Sequence, residues 1–178
     1  VVFRALLLIG AVLLAGCSSS PKNHQEIDAA HSAKLRINHP IYGADNVKIV
    51  DGDLCRNDNA FSIDASKSKV ARFKKSIDLG IPKTSTASSY YDEFVIPSSK
   101  NISIQFSTHK QSGAFIESCM PPGVSFEANV GGLYEAFMSE EYGQCSIQVR
   151  EINRDGTQTF PVPTQRVKSK HFVGGCKY

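Results

Sequence analysis

The sequence predicts an all-β protein, an antiparallel β-sandwich, and three observations support this fold class. Short apolar runs recur at intervals of about ten residues, and the turn-forming residues Gly, Pro, Asn, Asp and Ser separate them. Apolar and polar residues alternate within the clearest runs, as in a strand with one buried face. No stretch after residue 33 carries a long helical stripe. Strand-rich chains of this size close their edges as a sandwich or a barrel.

Two runs show the alternation most clearly. In residues 101–106 the isoleucines and the phenylalanine face one way and the polar residues face the other. In residues 145–149 the same pattern places the sulfur of Cys145 on the apolar side, where a buried disulfide requires it. Weaker runs predict further strands at residues 35–37, 47–50, 61–63, 70–79, 93–96, 114–119, 124–128, 133–138 and 159–162.

Length and charge limit the classes of function. A chain of 178 residues, 41% of them hydrophobic, is long enough for one domain with one core. Its formal net charge is +3, and loss of an N-terminal segment containing Arg4 would leave about +2. So weak a positive field does not favour nucleic acid as a partner.

The N-terminus has the pattern of a secretion signal. Arg4 precedes an uninterrupted apolar stretch over residues 5–16. As a helix this stretch would span about 18 Å, well short of the roughly 30 Å of hydrocarbon in a bilayer. A signal peptide therefore explains it better than a membrane-spanning helix does.

The residues that end this stretch, Leu14-Ala15-Gly16-Cys17, resemble the lipobox of bacterial lipoproteins. In that family a diacylglycerol alkylates the cysteine thiol, and a peptidase cleaves the chain just before it. The resemblance implies that Cys17 becomes a lipidated N-terminus, held stably because two or more acyl chains enter the membrane. An ordinary signal peptide followed by a fortuitous cysteine is the alternative.

This resemblance sets the expected organisation of the chain and its location. Residues 1–16 would be the signal peptide, 17–33 a lipidated flexible tether of small and polar residues, and 34–178 the sandwich domain. Fully extended, the tether reaches at most about 55 Å. In the same family an Asp after the lipidated cysteine retains the protein in the inner membrane. Ser18 in that position favours the outer membrane, on its periplasmic face.

Cysteine usage predicts two disulfides. Of the five cysteines, four remain once Cys17 carries lipid, and an even number in an exported chain indicates disulfide pairing. Three pairings are possible. The short separation between Cys119 and Cys145 favours that pair, which leaves Cys55 with Cys176. A metal site is the rival interpretation, but no CxxC or HxxxH spacing supports it, and we expect neither metal nor cofactor.

Three other segments carry candidate chemistry. Residues 66–75 hold five cations that could meet phosphates or an acidic polymer, although a solvated strand face explains them equally simply. Asp51-Gly52-Asp53 begins an oxygen-rich segment that departs from the EF-hand pattern, so we expect a turn built by its own side chains. Tyr90-Tyr91 follows a Ser/Thr-rich segment and is either a contact surface or core packing.

Catalytic motifs are missing from the sequence. GxSxG does not occur, and no His lies within four residues of a Cys. The expected state of His39, His109 and His171 is a lone surface side chain, and His24 and His31 fall in the tether. We expect Glu140-Glu141 to lie in a turn between strands, because adjacent strand residues point to opposite faces and cannot pair for acid–base work.

The sequence therefore predicts a lipid-anchored binding or structural module that docks on another envelope protein, and not an enzyme. A lipid-tethered inhibitor of a lytic enzyme, presenting a loop to the enzyme's cleft, is the second hypothesis. A hydrolase whose residues converge only in three dimensions is the third. A concave pocket holding His109 or His171 beside a Ser or a carboxylate would favour it.

Overall fold

Two β-sheets packed against each other form the protein, so the predicted all-β sandwich is confirmed. The computed structural model describes residues 27–39, 44–56, 58–66, 78–85, 87–112, 115–169 and Cys176. Those residues contain no α-helix, and a single 3₁₀ turn, Ala29–His31, precedes the first strand. None of the helical structure among them is long and apolar enough to cross a membrane.

Each sheet is built around one or two central strands. In sheet A the spatial order is β10 (Thr159–Pro161), β9 (Gln144–Ile152), β8 (Leu133–Glu141), β1 (Ser32–Asn38) and β4 (Tyr91–Pro97). In sheet B it is β11 (Gln165–Val167), β7 (Gly123–Ala128), β5 (Ser99–Ser112), β2 (Ala44–Asp51) and β3 (Ser62–Asp64), and β6 (Phe115–Cys119) also pairs with β5.

The structure differs from the predicted arrangement in four places. Strand β1 begins at Ser32, and Ala33 lies in the core, so the domain starts before the predicted boundary at residue 34. β1 and β8 pair in parallel, because the long connection between them does not impose the reversal of a hairpin. The three-residue strand β11 was not predicted, since so short an edge strand shows little alternation. Most of the predicted strand 70–79 lies outside the described residues, and its described end, 78–79, is not strand.

Alternation along the central strands produces the core. Residues opposite one another in a ladder share a face, so Leu35 of β1 lies beside Phe94 of β4 and Tyr134 of β8. On sheet B, Ile49 and Ile104 form an equivalent pair. The inward side chains are buried in one continuous cluster, as a sandwich requires: Ala33, Leu35, Ile37, Val47, Ile49, Ile96, Ile102, Ile104, Phe106, Val124, Phe126, Tyr134, Ala136, Ile147 and Val149.

Two disulfides connect distant parts of the chain, in the pairs that the sequence favours. Cys119 of β6 bonds to Cys145 of β9, with their Cα atoms 6.0 Å apart, and so joins sheet B to sheet A. Cys55, in the loop after β2, bonds to Cys176 near the C-terminus, with a Cα separation of 5.5 Å. The second bond closes a separation of 121 residues and the first only 26.

Removal of either disulfide should destabilise the fold, and removal of the one that closes the longer loop should destabilise it more. In the loop-entropy model the double variant Cys55→Ala/Cys176→Ala loses up to about 5 kcal/mol of unfolding free energy, and Cys119→Ala/Cys145→Ala up to about 3.5 kcal/mol. Urea denaturation of the exported protein under non-reducing conditions measures both. Identical denaturation midpoints for wild type with and without reductant would contradict the prediction.

Candidate functional site

The tip of the β8–β9 hairpin, residues 140–143, carries the most exposed large hydrophobic side chain among the described residues. Glu141 and Gln144 pair at the end of the ladder, and Tyr142 and Gly143 form a two-residue turn between them. Both turn residues have positive φ, 51° and 74°, which is the pattern of a type I′ turn. The side chain of Tyr142 projects fully into solvent, with a relative exposure of 104%.

Tyr142 is an unusual residue for this turn. A positive φ brings the Cβ of an L-residue too close to its own backbone, which costs roughly 1–2 kcal/mol, and Asn or Gly normally occupies the position. Among the described residues, Tyr142 is the only non-glycine with positive φ. Its ring recovers none of this cost by packing, because it is not buried. Backbone strain of this kind clusters at functional sites, so the tip is a candidate for one.

The base of the hairpin is held rigidly and the tip is acidic. Cys145 lies directly opposite Glu140 in the ladder, so the Cys119–Cys145 disulfide anchors the hairpin to β6 one residue pair below Glu141. Both glutamates are exposed. They end strand β8, so the predicted turn at these residues is displaced to the next two residues. Met120, immediately after the disulfide, adds a further exposed apolar side chain.

A second feature is a covering segment, residues 78–85, that lies against the outer face of sheet A. Lys34 donates from Nζ to the carbonyl of Leu79 at 2.8 Å, and Thr84 donates from Oγ1 to Glu135 Oε2 at 2.9 Å. The turn after β9 approaches the segment so closely that a Cβ on Gly156 would lie 2.6 Å from Pro82 Cβ. This part of the outer face of sheet A is therefore covered by protein.

A buried ion pair holds this covering segment. Arg36 and Glu93, on neighbouring strands, have fully buried side chains, with Arg36 Nη2 2.8 Å from Glu93 Oε1. Arg36 also donates from Nη1 to Pro82 O at 2.9 Å and from Nη2 to Ile81 O. Glu93 Oε2 accepts hydrogen bonds from the backbone N–H groups of Leu79 and Ile81. The pair thus satisfies both donors and acceptors of the segment.

One aromatic residue, Tyr91, and one acidic residue, Asp78, lie at the edge of this network. Tyr91 lies under the guanidinium of Arg36, 4.9 Å from ring centroid to Cζ, and its hydroxyl donates to Asp78 Oδ2 at 3.3 Å. Burial raises the pKa of Tyr91, and nearby Asp78 raises it further. The Gly80 N–H lowers the pKa of Asp78. Tyr91 therefore packs against Arg36 on the outer face of sheet A and not in the core, and Tyr90 is half-buried beside it.

His39 is buried, so its expected state as a lone surface histidine is wrong. Its Nδ1 lies 2.5 Å from Asp45 Oδ2, and its Nε2 lies 3.5 Å from Asp92 Oδ2. The sequence missed this site because His39 and Asp45 lie on either side of the crossover between the sheets, and Asp92 is contributed by β4. The hydrogen bond to Asp45 orients the ring, and the Asp92 carboxylate lies near its other nitrogen.

The remaining residues that the sequence singled out lie in a turn, at the surface or outside the described residues. The Asp51–Asp53 turn is built by its side chains: Asp53 Oδ1 accepts the Cys55 N–H at 2.8 Å, and Asn59 donates from Nδ2 to Asp53 O at 2.8 Å. His109 is exposed on β5, and His31 is exposed in the 3₁₀ turn. Outside the described residues lie the lipobox with Cys17, His24, His171 and residues 67–75 of the cationic run.

Metal binding gains no candidate from the described part of the chain. No group of three or more His, Cys, Asp or Glu residues there has an arrangement that could hold a metal ion. Four of the five cysteines are in disulfides.

Comparison with known proteins finds no relative of this chain. No family model matches it, and no curated protein and no solved structure matches it significantly.

Loss of one partner of the buried ion pair should destabilise the fold strongly. Glu93→Gln keeps the shape of the side chain but leaves the Arg36 guanidinium buried without a counter-charge, which we expect to cost about 3–5 kcal/mol of unfolding free energy. Hydrogen exchange should show that the amides of residues 79–81 lose protection with it.

The exposed pair Arg56–Asp58 provides the control for this measurement. Arg56 Nη2 lies 2.6 Å from Asp58 Oδ2, but both side chains are more than half exposed. Asp58→Asn should leave the urea midpoint nearly unchanged, because water screens and solvates both charges. Equal effects of Asp58→Asn and Glu93→Gln would show that burial of the ion pair is unimportant for stability.

Proposed function

We propose that this protein is a lipid-anchored binding module of the bacterial cell envelope. In this proposal the chain is exported and lipidated on Cys17, and it stands on the periplasmic face of the outer membrane. Residues 18–26 connect the lipid to the first described residues. The sandwich then docks on another envelope protein, without catalysis and without a nucleic acid partner.

Two kinds of observation support the envelope location. The N-terminal sequence resembles a lipoprotein signal up to Leu14-Ala15-Gly16-Cys17. The remaining four cysteines form two disulfides, and such bonds persist in oxidising compartments such as the periplasm. The two arguments are independent, because the first uses residues 1–17 and the second uses the sandwich.

The hairpin tip carries the argument for binding. Tyr142 is fully exposed and strained, and tyrosine is among the side chains that contribute most to protein interfaces. Glu140 and Glu141 beside it favour a basic surface on the partner, since opposite charges steer the encounter. The disulfide at the base fixes the tip before binding, so little conformational entropy is lost when the complex forms.

The same tip favours tethered inhibition of a lytic enzyme as the second candidate function. A rigid hairpin ending in an aromatic ring has the shape of a loop that enters a cleft. In that case the purified sandwich would inhibit the enzyme, and Tyr142→Asn would remove inhibition. A structural docking module would bind its partner without changing any enzymatic activity.

Lipidation is tested on the N-terminal peptide of the full chain, expressed in a bacterium with an outer membrane. We expect its mass to show acyl groups on Cys17, and we expect Cys17→Ser to leave the membrane fraction. Ser18→Asp should move the protein from the outer to the inner membrane. A Cys17→Ser protein that matures normally and stays with the membrane would refute the anchor.

Binding through the tip predicts opposite effects of one substitution on stability and on affinity. Tyr142→Asn should raise the unfolding free energy by about 1 kcal/mol, because Asn tolerates positive φ. The same change should remove the aromatic contact and weaken partner binding by about tenfold or more. Urea denaturation measures the first effect. Crosslinking in intact cells, followed by mass spectrometry, identifies the partner for the second.

Phe160→Asn is the matched control, because Phe160 is also an exposed aromatic but lies on β10. A partner that is lost with Tyr142→Asn and retained with Phe160→Asn supports docking through the tip. A partner retained by both variants, or lost from both, would contradict it.

A further inference from the structure

A cleft of about 420 Å³ opens between the sheets, at the end of β8 and β9 away from the hairpin tip. Its lining includes β7 of sheet B, the start of β8, the end of β9 and the connection from β10 to β11. Small-molecule sites have volumes of roughly 300–1,000 Å³. The cleft is therefore large enough for a small ligand or for one long side chain.

The floor of the cleft is fixed. Phe126 and Tyr134 pack edge to face, with ring centroids 5.3 Å apart. The Tyr134 hydroxyl accepts a hydrogen bond from the Asn129 N–H at 2.9 Å. Both rings are almost completely buried, so they support the cleft and do not move into it.

One wall of the cleft is stiff as well. The connection from sheet A to sheet B runs through Pro161, Val162 and Pro163, and proline fixes its own φ. Val162 donates its N–H to Val149 O at 3.0 Å, which ties the middle of this wall to β9. The space is thus formed before any ligand enters.

The charged residues of the cleft all have one sign. Glu127 of β7 and Glu151 of β9 line it from the two sheets, and its lining contains no Lys, Arg or His. The other polar groups are amides and hydroxyls, including Asn101 and Gln165. Burial raises the pKa of Tyr134 in the floor, and the charges of Glu151 and Glu127 raise it further. The two carboxylates therefore act on the same region.

We propose that this cleft binds an alkyl cation, with its ammonium or guanidinium group between Glu127 and Glu151 and its stem against Val162 and Pro163. The carboxylates would repel an anion, and a cation complements their charge in a way that a neutral ligand cannot. Ammonium and guanidinium groups also supply donors for the amide oxygens at the rim. This site is separate from the hairpin tip and does not depend on the proposed docking function.

The test uses n-butylammonium and n-butylguanidinium as probes, with n-butanol as the uncharged control. Nitrogen–proton NMR spectra of the full sandwich report where each probe binds. We expect saturable shifts at the amides of Phe126 and Val162 for both cations and none for the alcohol. Saturable shifts of the same size with n-butanol, or no saturation with either cation, would overturn the proposal.

Two charge-matched double variants separate a specific site from general attraction of a cation to exposed carboxylates. Glu127→Gln/Glu151→Gln should weaken cation binding by about tenfold or more, since charge-assisted hydrogen bonds are lost. Glu140→Gln/Glu141→Gln removes the same formal charge at the hairpin tip and should leave cation affinity unchanged. Equal weakening by both would overturn the proposal. Unchanged urea midpoints for both variants would show that the fold is intact.

Capped peptides distinguish the two sources of the cation. If the natural occupant is a Lys or Arg side chain of another protein, Ala-Lys-Ala or Ala-Arg-Ala should bind at least as tightly as the free amines. If it is a small free cation, the peptides should bind more weakly, because their backbones must be accommodated at the rim. In both cases the Glu127→Gln/Glu151→Gln variant should bind the peptides or amines more weakly. Peptide binding that is equally tight in this variant would contradict the site.

Discussion

The interaction on which this structure most depends is the buried pair of Arg36 and Glu93. Two opposite charges are removed from water on the outer face of sheet A, where strands usually meet solvent. Removing both charges from water costs free energy, and this cost is offset only because the remaining donors and acceptors of the pair bond to the backbone of residues 79–82. The pair and the covering segment therefore require each other. Without the segment the ions would be hydrated, and without the ions the backbone groups of the segment would lose their partners.

Alternation in the sequence predicted the strands and the inward face but could not reveal that part of the outward face of sheet A is also covered. Arg36 and Glu93 occupy outward positions, and a polar residue there gives the same pattern whether it meets water or a loop. The burial of His39 was missed because its partners Asp45 and Asp92 come from elements that only the topology brings together. The disulfide pairing was easier to anticipate, because Cys145 alternates with core residues and Cys119 is near it in sequence. The cleft had no sequence signal, because Glu127 and Glu151 come from different sheets.

The two candidate contact sites lie at opposite ends of the β8–β9 ladder and have opposite shapes. The hairpin tip is convex, and the contact proposed for it is made by one projecting ring. The cleft is concave, and the groups proposed to bind there are carboxylates above a fixed aromatic floor. Both are acidic, although the whole chain has a formal charge of +3. Both surfaces therefore favour basic groups, and a partner could occupy one without blocking the other.

Tyr142 lowers the stability of the fold through backbone strain, but its ring is held in place before any partner binds. A flexible loop could carry the same ring without backbone strain, but its ordering on binding would cost roughly 1–2 kcal/mol for each residue fixed. The type I′ turn and the Cys119–Cys145 bond meet this cost during folding instead, so that the ring is already in place when a partner arrives. Strain at a single residue is smaller than the entropy of ordering several. A tight hairpin that presents a tyrosine is thus a more economical binding element than a longer loop, and this favours contact over packing as the reason for its exposure.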